Sequence, residues 1–402
     1  MGESSYFRLQ LAVFSLVTAS FANIYVTQPV LPVLSNEFQA GTVMVSFTVS
    51  AVILGISLSN LPFGFIADRC SIWPIVLTGG IVVASGALIS AISYNLWVLI
   101  AARFVQGLFI PALTTCIAAY LAKTLPPERL NVVMGSYVSA TVTGGLGGRL
   151  LGGFIHPPLH WRYAFVSAAV LIVVSTIFAL WTLPRTPSGC SRSTSATTFL
   201  KLLKRWELTR IFLCATGVFG IFSSIFNYLP FRLAGAPFHY STEMTTMLYL
   251  VYVTGIFIGP LAGKISNRYG AGNTMMGSSL VLATALVFLS LPHIVAVVTG
   301  LLTLCLGFFT VHAAAVGGLN RKLTGGQGKA NALYVLFYYM GGWVGITCCG
   351  FAFRHSGWTG VTGFCAVLLL IPLSVGLLER RSGLAAQAKS GSSEKCPRPP
   401  HP

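Results

Sequence analysis

The sequence predicts an all-α polytopic membrane protein, and three observations carry that expectation. Of 402 residues, 54% are hydrophobic and only 8% charged, where a soluble protein carries about a quarter charged. Mean hydropathy is +0.79. The apolar residues run continuously rather than alternating, which favours helices over a barrel, since a helix satisfies its own backbone in lipid. A net charge of +17 would suggest a nucleic-acid partner in a soluble chain. Here nearly all the basic residues sit in short gaps between apolar runs, so no nucleic acid is expected and the lipid bilayer is the partner.

A hydrocarbon core about 30 Å thick needs about 20 residues of helix rising about 1.5 Å each. Runs of that length fall at 9–32, 44–66, 74–93, 96–119, 133–155, 163–183, 211–231, 246–263, 274–292, 294–317, 330–353 and 358–378, which makes twelve. An even count puts both termini on one side. Of the 25 Lys and Arg, twenty lie on that side and only Arg162, Arg232 and Arg354 on the other, leaving Arg103 and Arg149 inside spans. Basic loops stay cytoplasmic, so both termini are expected in the cytoplasm of a bacterial inner membrane crossed many times. The first run exceeds a signal-peptide core and no A-x-A-like site closes it, so it counts as a span. The nine cysteines contain no C-x-x-C and read as small apolar residues.

Residues 184–208 are the longest internal polar stretch and divide the spans six and six. The expected organisation is a first half over 1–183, a central cytoplasmic loop over 184–208, a second half over 209–378 and a disordered cytoplasmic tail over 379–402. The halves repeat. GFIADR at Gly64–Arg69 corresponds to GKISNR at Gly263–Arg268, an offset of 199. GGLGGRLLGGF at Gly144–Phe154 corresponds to GGWVGITCCGF at Gly341–Phe351, and Trp161 to Trp358, at an offset of 197. Six-helix halves related by an axis along the membrane normal are one known transporter architecture.

These residues carry a family resemblance. The chain resembles the major facilitator superfamily, of the twelve-helix drug/proton antiporter type, near the YnfM-like efflux permeases. Gly64-x-x-x-Asp68-Arg69 is similar to the family's loop 2-3 motif, with Ser71, Ile72 and Trp73 in place of its usual Gly and basic residues. Leu99-x-x-x-Arg103-x-x-Gln106-Gly107 matches the helix 4 motif. Gly135, Gly144, Gly148, Gly152 and Gly153 match the helix 5 antiporter motif, except that Arg149 stands where proline is usual. The resemblance implies a duplicated bundle of twelve helices that opens alternately to either face, with helices 1, 4, 7 and 10 around the cavity. It also implies a conformational role for the glycines of helix 5, where the halves meet, and a cytoplasmic latch at Asp68 that favours the outward-open state.

Read from the residues, helix 5 offers close backbone packing, which in lipid replaces hydrophobic drive, and packing is compatible with rocking. Asp68 can accept hydrogen bonds from Arg129 or face the positive N-terminal end of helix 11; alternatively these charges only anchor loops. The gating residues expected are thus Gly64, Asp68, Arg69, Arg129, Gly144, Gly148, Gly152, Gly263 and Arg268, with Asn267 as the weaker counterpart of Asp68.

Arg103 and Arg149 are the charges well inside spans, each costing about 2.5–3.5 kcal/mol at a helix centre. No Asp or Glu lies inside a span, so their partners are backbone carbonyls, polar groups such as Gln28 and Gln106, water or an anionic substrate. A cavity holding them is net positive and suits a neutral or anionic substrate; Arg149 could instead cap the carbonyls of a broken helix. Substrate-binding candidates are Asn23, Gln28, Arg103, Gln106, Arg149, Asn227, Tyr228, His312 and Tyr338. Pro29 and Pro230 near the amides of spans 1 and 7 predict irregular helix ends with freed carbonyls. His312 is either a packed, hydrogen-bonded imidazole or a proton carrier, and the aromatic residues of span 11 suit an aromatic or amphipathic substrate.

No GxxxxGK[ST] loop is present, so ATP is not the direct energy source. No metal site is expected from the outer histidines, no cofactor is implied, and no nucleophile elbow points to an enzyme. The leading expectation is a monomeric secondary active transporter exporting a small molecule, with protons as the counter-ion. Uptake or facilitated movement of an organic anion is the alternative, and a membrane receptor a remote third.

Overall fold

The computed structural model describes residues 3–183, 199–323 and 325–393. Among the described residues all regular structure is helical. Span 1 is Glu3–Tyr25, a 3-10 turn at Gln28–Val30 and Leu31–Glu37. Spans 2 and 3 are Thr42–Arg69 and Ile72–Ile92. Span 4 joins Leu96–Leu113 to Thr115–Thr124, and span 5 is Pro127–Ile155. Span 6 is Trp161–Thr182 and span 7 is Trp206–Ala234. Span 8 runs as Thr242–Leu248, a 3-10 turn at Tyr249–Val253 and Thr254–Tyr269. Spans 9 and 10 are Ala271–Ser290 and Ile294–Arg321. The last element, Gln327–Ser393, leaves helical geometry at Ser356 and Gly357, where Gly357 takes φ +57°, a value glycine adopts without steric cost. That break separates spans 11 and 12.

Among the described residues ten elements are long and apolar enough to cross a membrane, the last containing both spans 11 and 12. Span 5 is not among them, its apolar content diluted by glycine. The expected central loop falls at 184–198 outside the described residues, while Phe199–Lys204 within it is helical. Span 12 continues as helix to Ser393, past the expected start of a disordered tail at 379; residues 394–402 lie outside the described residues.

Close backbone approach sets the packing, and it repeats between the halves. On span 5, a Cβ at Gly144, Gly148 or Gly152 would fall on the carbonyl oxygens of Thr18, Ala22 and Val26 of span 1. On span 11, a Cβ at Gly341 or Gly345 would fall on the carbonyls of Thr216 and Gly220 of span 7. Gly144 and Gly341, and Gly148 and Gly345, are the pairs that the 197-residue repeat equates. These glycines therefore join helices within a half. The stripe one residue on reaches the other half: a Cβ at Gly153 would meet Thr246 of span 8, and one at Gly350, though nearest the Tyr228 hydroxyl of its own half, would lie 3.3 Å from Val43 of span 2. Ser57 of span 2 also donates to the Leu336 carbonyl of span 11 at 3.0 Å.

At the end carrying most Lys and Arg, here the basic end, Asp68 pairs with Lys123 of span 4 at 2.7 Å. Arg129, one of the partners expected for Asp68, lies over the Tyr6 ring, 5.2 Å from its centre. The Lys123 ammonium reaches Asp68 because the ends of spans 2 and 4 adjoin, and it also donates to the Ala67 carbonyl at 3.0 Å. The second half repeats this join with a neutral acceptor, Arg321 of span 10 donating to Asn267 at 3.0 Å. Glu379 of span 12 is held by Arg210 at 2.6 Å and Lys322 at 2.9 Å. At the opposite end Glu37 accepts from Arg162 at 2.6 Å and from the Trp161 indole, while Arg162 reaches the Ser93 carbonyl at 2.8 Å.

The neighbouring glycines of span 5 separate the two kinds of position. Gly148→Val should lower folding stability by about 3 kcal/mol or more, because overpacking here pushes on backbone rather than on a side chain. Gly147→Ala, whose Cβ meets nothing within 4 Å, should leave it unchanged. Thermal unfolding of the purified protein in detergent checks this, and equal losses in both variants would contradict the packing described.

Candidate functional site

The two arginines inside the spans take different roles, and the break in span 1 explains both. Pro29 has no N–H to continue the helix, and the chain turns 3-10 at Gln28–Val30. Arg103 caps this break. Its Nη1 donates to the Asn23 carbonyl at 2.6 Å, its Nη2 to the Ile24 carbonyl at 2.7 Å and its Nε to the Thr48 carbonyl at 3.0 Å. Nη1 also reaches Gln106 Oε1 at 2.7 Å. Gln106 Nε2 then donates to the Val83 carbonyl at 2.9 Å, and Asn23 Nδ2 to the carbonyls of Ala19 and Ala168. Asn23, Arg103 and Gln106 thus form one network tying spans 1, 2, 3, 4 and 6 of the first half. The capping of broken-helix carbonyls weighed for Arg149 belongs to Arg103.

Arg149 lies between Gly145 and Gly153 on the stripe of span 5 that faces the second half. Its side chain is 1% exposed. Nε donates to Gln28 Oε1 at 2.7 Å and Nη1 to the Gly145 carbonyl at 2.6 Å. Four rings surround the guanidinium: Tyr25 at 4.1 Å, Tyr252 at 4.7 Å, and Phe226 and Tyr249 at 5.4 Å from their centres. Tyr25 belongs to the first half and the other three to the second. Each lies inside the roughly 6 Å range in which a ring face attracts a cation, so ring faces and amide oxygens take the place of a carboxylate. The repeat places Ile346 opposite Arg149 in the second half, so the charge occupies one of the two seams only.

Span 7 departs from the expected irregular end. Pro230 lies within a continuous helix, Trp206–Ala234. The Phe226 carbonyl, four residues before the proline, accepts instead from the Tyr249 hydroxyl of span 8 at 3.3 Å. A donor from the neighbouring span replaces the missing N–H, so the helix continues. Asn227 donates across the seam to Ser46 of span 2 at 2.9 Å. Tyr228 donates within its half to the Ile346 carbonyl at 3.0 Å and stacks on Phe353.

His312 and Tyr338 sit in an aromatic cluster of the second half. His312 Nδ1 and the Tyr334 hydroxyl are 2.9 Å apart, and the imidazole stacks on Phe308 with centroids 6.1 Å apart. Tyr338 stacks on Phe219 at 3.8 Å, and Phe222 on Phe308 at 3.8 Å. Cys214 packs beside His312, Tyr334 and Tyr338 and leaves no space that would admit a water molecule. The rings connect this cluster to the Arg149 cage, because Phe222 also contacts Phe226 and Tyr252.

Of the expected substrate-binding residues, Gln28 and Arg149 are directly joined, His312 and Tyr338 are linked to the cage through Phe308 and Phe222, and Asn23, Arg103 and Gln106 are engaged within the first half. Sequence reading missed Phe226, Tyr249 and Tyr252 as cage residues. The signal available was the four-residue spacing of Gly145, Arg149 and Gly153, which puts the charge on the face of span 5 that must meet another helix. Among the conformational candidates, Gly64 and Gly263 have open space where a Cβ would stand, Arg69 is exposed, and Arg268 lies 5.3 Å from the Tyr269 ring centre. Among the described residues no group of His, Cys, Asp and Glu is placed to hold a metal ion.

Arg103→Leu should cost stability, because it strips buried carbonyls of donors worth about 1–3 kcal/mol each. The expected result is loss of monodisperse protein on size exclusion, and a normally behaved Arg103→Leu variant would contradict the capping role.

Comparison with known proteins agrees with this architecture. The family model described as Major Facilitator Superfamily matches residues 13–321. The inner membrane transport protein YnfM of Escherichia coli strain K12 is 30% identical over 389 residues, covering 94% of this chain and 92% of that protein. A bacterial homologue of the human lysosomal transporter Spinster, solved inward-facing and unoccupied, superposes with a TM-score of 0.78 at 14% identity, covering 96% of this chain and 99% of that one. The human organic anion transporter MFSD10 gives 0.70 at 17% identity, covering 94% and 100%. With its two repeated six-helix halves and a family match over most of its length, the chain belongs to the Major Facilitator Superfamily, a family of multi-pass membrane transporters.

Proposed function

We propose that this protein carries a small organic molecule across the inner membrane by alternating access, exporting it in exchange for protons, and that the molecule is neutral or anionic with an aromatic or amphipathic part. The observation that carries the charge preference is the Arg149 cage. A buried guanidinium with two amide oxygens and four rings around it, and no carboxylate partner, leaves the seam between the halves net positive. A cation entering there meets repulsion; a carboxylate or sulfonate can exchange for the ring contacts, each worth about 0.5–2 kcal/mol. The same exchange supplies a route from binding to movement, because three of the four rings belong to the second half and Arg149 to the first. An anion that draws the guanidinium away from them weakens the seam. The export direction rests on the resemblance to drug/proton antiporters. Asp68 and His312 are the titrating groups assigned to proton coupling, one ion-paired at the basic end and the other joined to the cage through Phe308 and Phe222.

A second reading, uncoupled or inward movement of an organic anion, is favoured by one observation: the twelve apolar runs hold no carboxylate to carry a proton, the acidic residues standing at or beyond their ends.

Transport into reconstituted vesicles under an imposed pH gradient separates the readings. Aromatic anions should move faster than matched cations, and Arg149→Met should cut anion movement by about tenfold or more while inserting normally. His312→Gln should abolish the gradient dependence. Preference for cations, or an Arg149→Met variant moving anions at the unaltered rate, would overturn the charge assignment; movement indifferent to the gradient in the unaltered protein would establish the second reading.

A further inference from the structure

The second half carries a two-part recess at the basic end that lies apart from the Arg149 cage. Its polar part, about 450 Å³, is lined by the ends of spans 8, 9, 10 and 12 and includes Arg321, Lys322 and Arg380. Its apolar part, about 420 Å³, runs along spans 8, 9 and 10 past Gly277, Val281 and Leu306. Tyr269 and Asn273 line both, so the two parts share a wall.

The charges in the polar part do not cancel. Glu379 is the one carboxylate on its wall, and it already has both Arg210 and Lys322. Arg321 donates to neutral groups, Asn267 at 3.0 Å and Ser266 at 3.2 Å. Arg380 contacts the Met276 sulfur at 3.8 Å. Among the described residues, two guanidinium charges are therefore left without a carboxylate. Span 9 opens into the same recess, and its first turn has no side-chain cap, so free N–H groups and the positive end of the helix add to the field there. Tyr269, 56% exposed, stands at the junction, the level at which aromatic residues meet lipid headgroups. The apolar part is open, since a Cβ at Gly277 would meet nothing within 4 Å.

We propose that this recess binds an anionic phospholipid of the cytoplasmic leaflet, its phosphate group between Arg321 and Arg380 at the start of span 9 and one acyl chain in the groove past Gly277. The charge pattern selects the headgroup and the groove selects a lipid over a soluble phosphate. The site is independent of what the protein transports.

Native mass spectrometry of the full, delipidated chain tests it with phosphatidylglycerol, zwitterionic phosphatidylcholine and glycerol 3-phosphate as probes. The unaltered protein should bind phosphatidylglycerol about tenfold more tightly than phosphatidylcholine, as two basic side chains at the surface imply. The R321Q/R380Q double variant should lose that preference and retain phosphatidylcholine binding, while Gly277→Phe should weaken both lipids. Glycerol 3-phosphate should not displace phosphatidylglycerol. Equal binding of the two lipids by the unaltered protein would overturn the proposal without reference to any variant. So would a preference surviving in R321Q/R380Q, and displacement by glycerol 3-phosphate would make the recess a soluble-anion site instead.

Discussion

Close approach of backbones is the constraint on which this structure depends. Between helices in lipid there is no hydrophobic drive, so association rests on packing and internal hydrogen bonds. Span 5 carries two glycine stripes one residue apart, and they do different work. Gly144, Gly148 and Gly152 join span 1 inside the first half, and Gly145 and Gly153 face span 8 in the second. Span 11 repeats both stripes, joining span 7 through Gly341 and Gly345 and meeting span 2 through Gly342 and Gly350. The result is a molecule with close glycine packing inside each half and two related seams between them.

The seams are alike in backbone and unlike in charge. Arg149 stands in one and Ile346 at the equivalent place in the other. Two interrupted helices converge on Arg149, the 3-10 turn of span 1 bringing Gln28 and that of span 8 bringing Tyr249 and Tyr252. Irregular backbone in a membrane needs internal partners, and the same few residues provide them. Arg103 takes the carbonyls released in span 1, and Tyr249 takes the Phe226 carbonyl released by Pro230. Tyr249 therefore serves both the continuity of span 7 and the cage. Satisfying broken helices and building a polar site inside apolar surroundings are here one operation.

Much of this was legible in the sequence because it is written in period and offset. Twenty-residue apolar runs give the spans, and the offsets of 197 and 199 residues give the halves and the pairing of Gly144 with Gly341. The same offsets equate Asp68 with Asn267, whose partners Lys123 and Arg321 also correspond in the structure. What could not be read is which side chain reaches which partner across the bundle. Arg103 and Arg149 stand at similar depth on successive helices, and composition cannot say that one turns into its own half and the other to the seam. Pro230 predicts a broken helix from local chemistry, and a hydroxyl from another span overrides it. Tyr249 and Tyr252 lie outside any motif, so only the third dimension brings them to Arg149.

The central claim is that the seam between spans 5 and 8 is a separable contact held by Arg149. Distance measurement between spin labels at Leu159, in the turn after span 5, and Met244, at the start of span 8, exposed positions at the end opposite the basic one, addresses it most directly. The account predicts two distance populations in the unaltered protein in lipid nanodiscs, with the longer one gaining when Arg149 is replaced by Met. A single short distance that Arg149→Met leaves unchanged would contradict it.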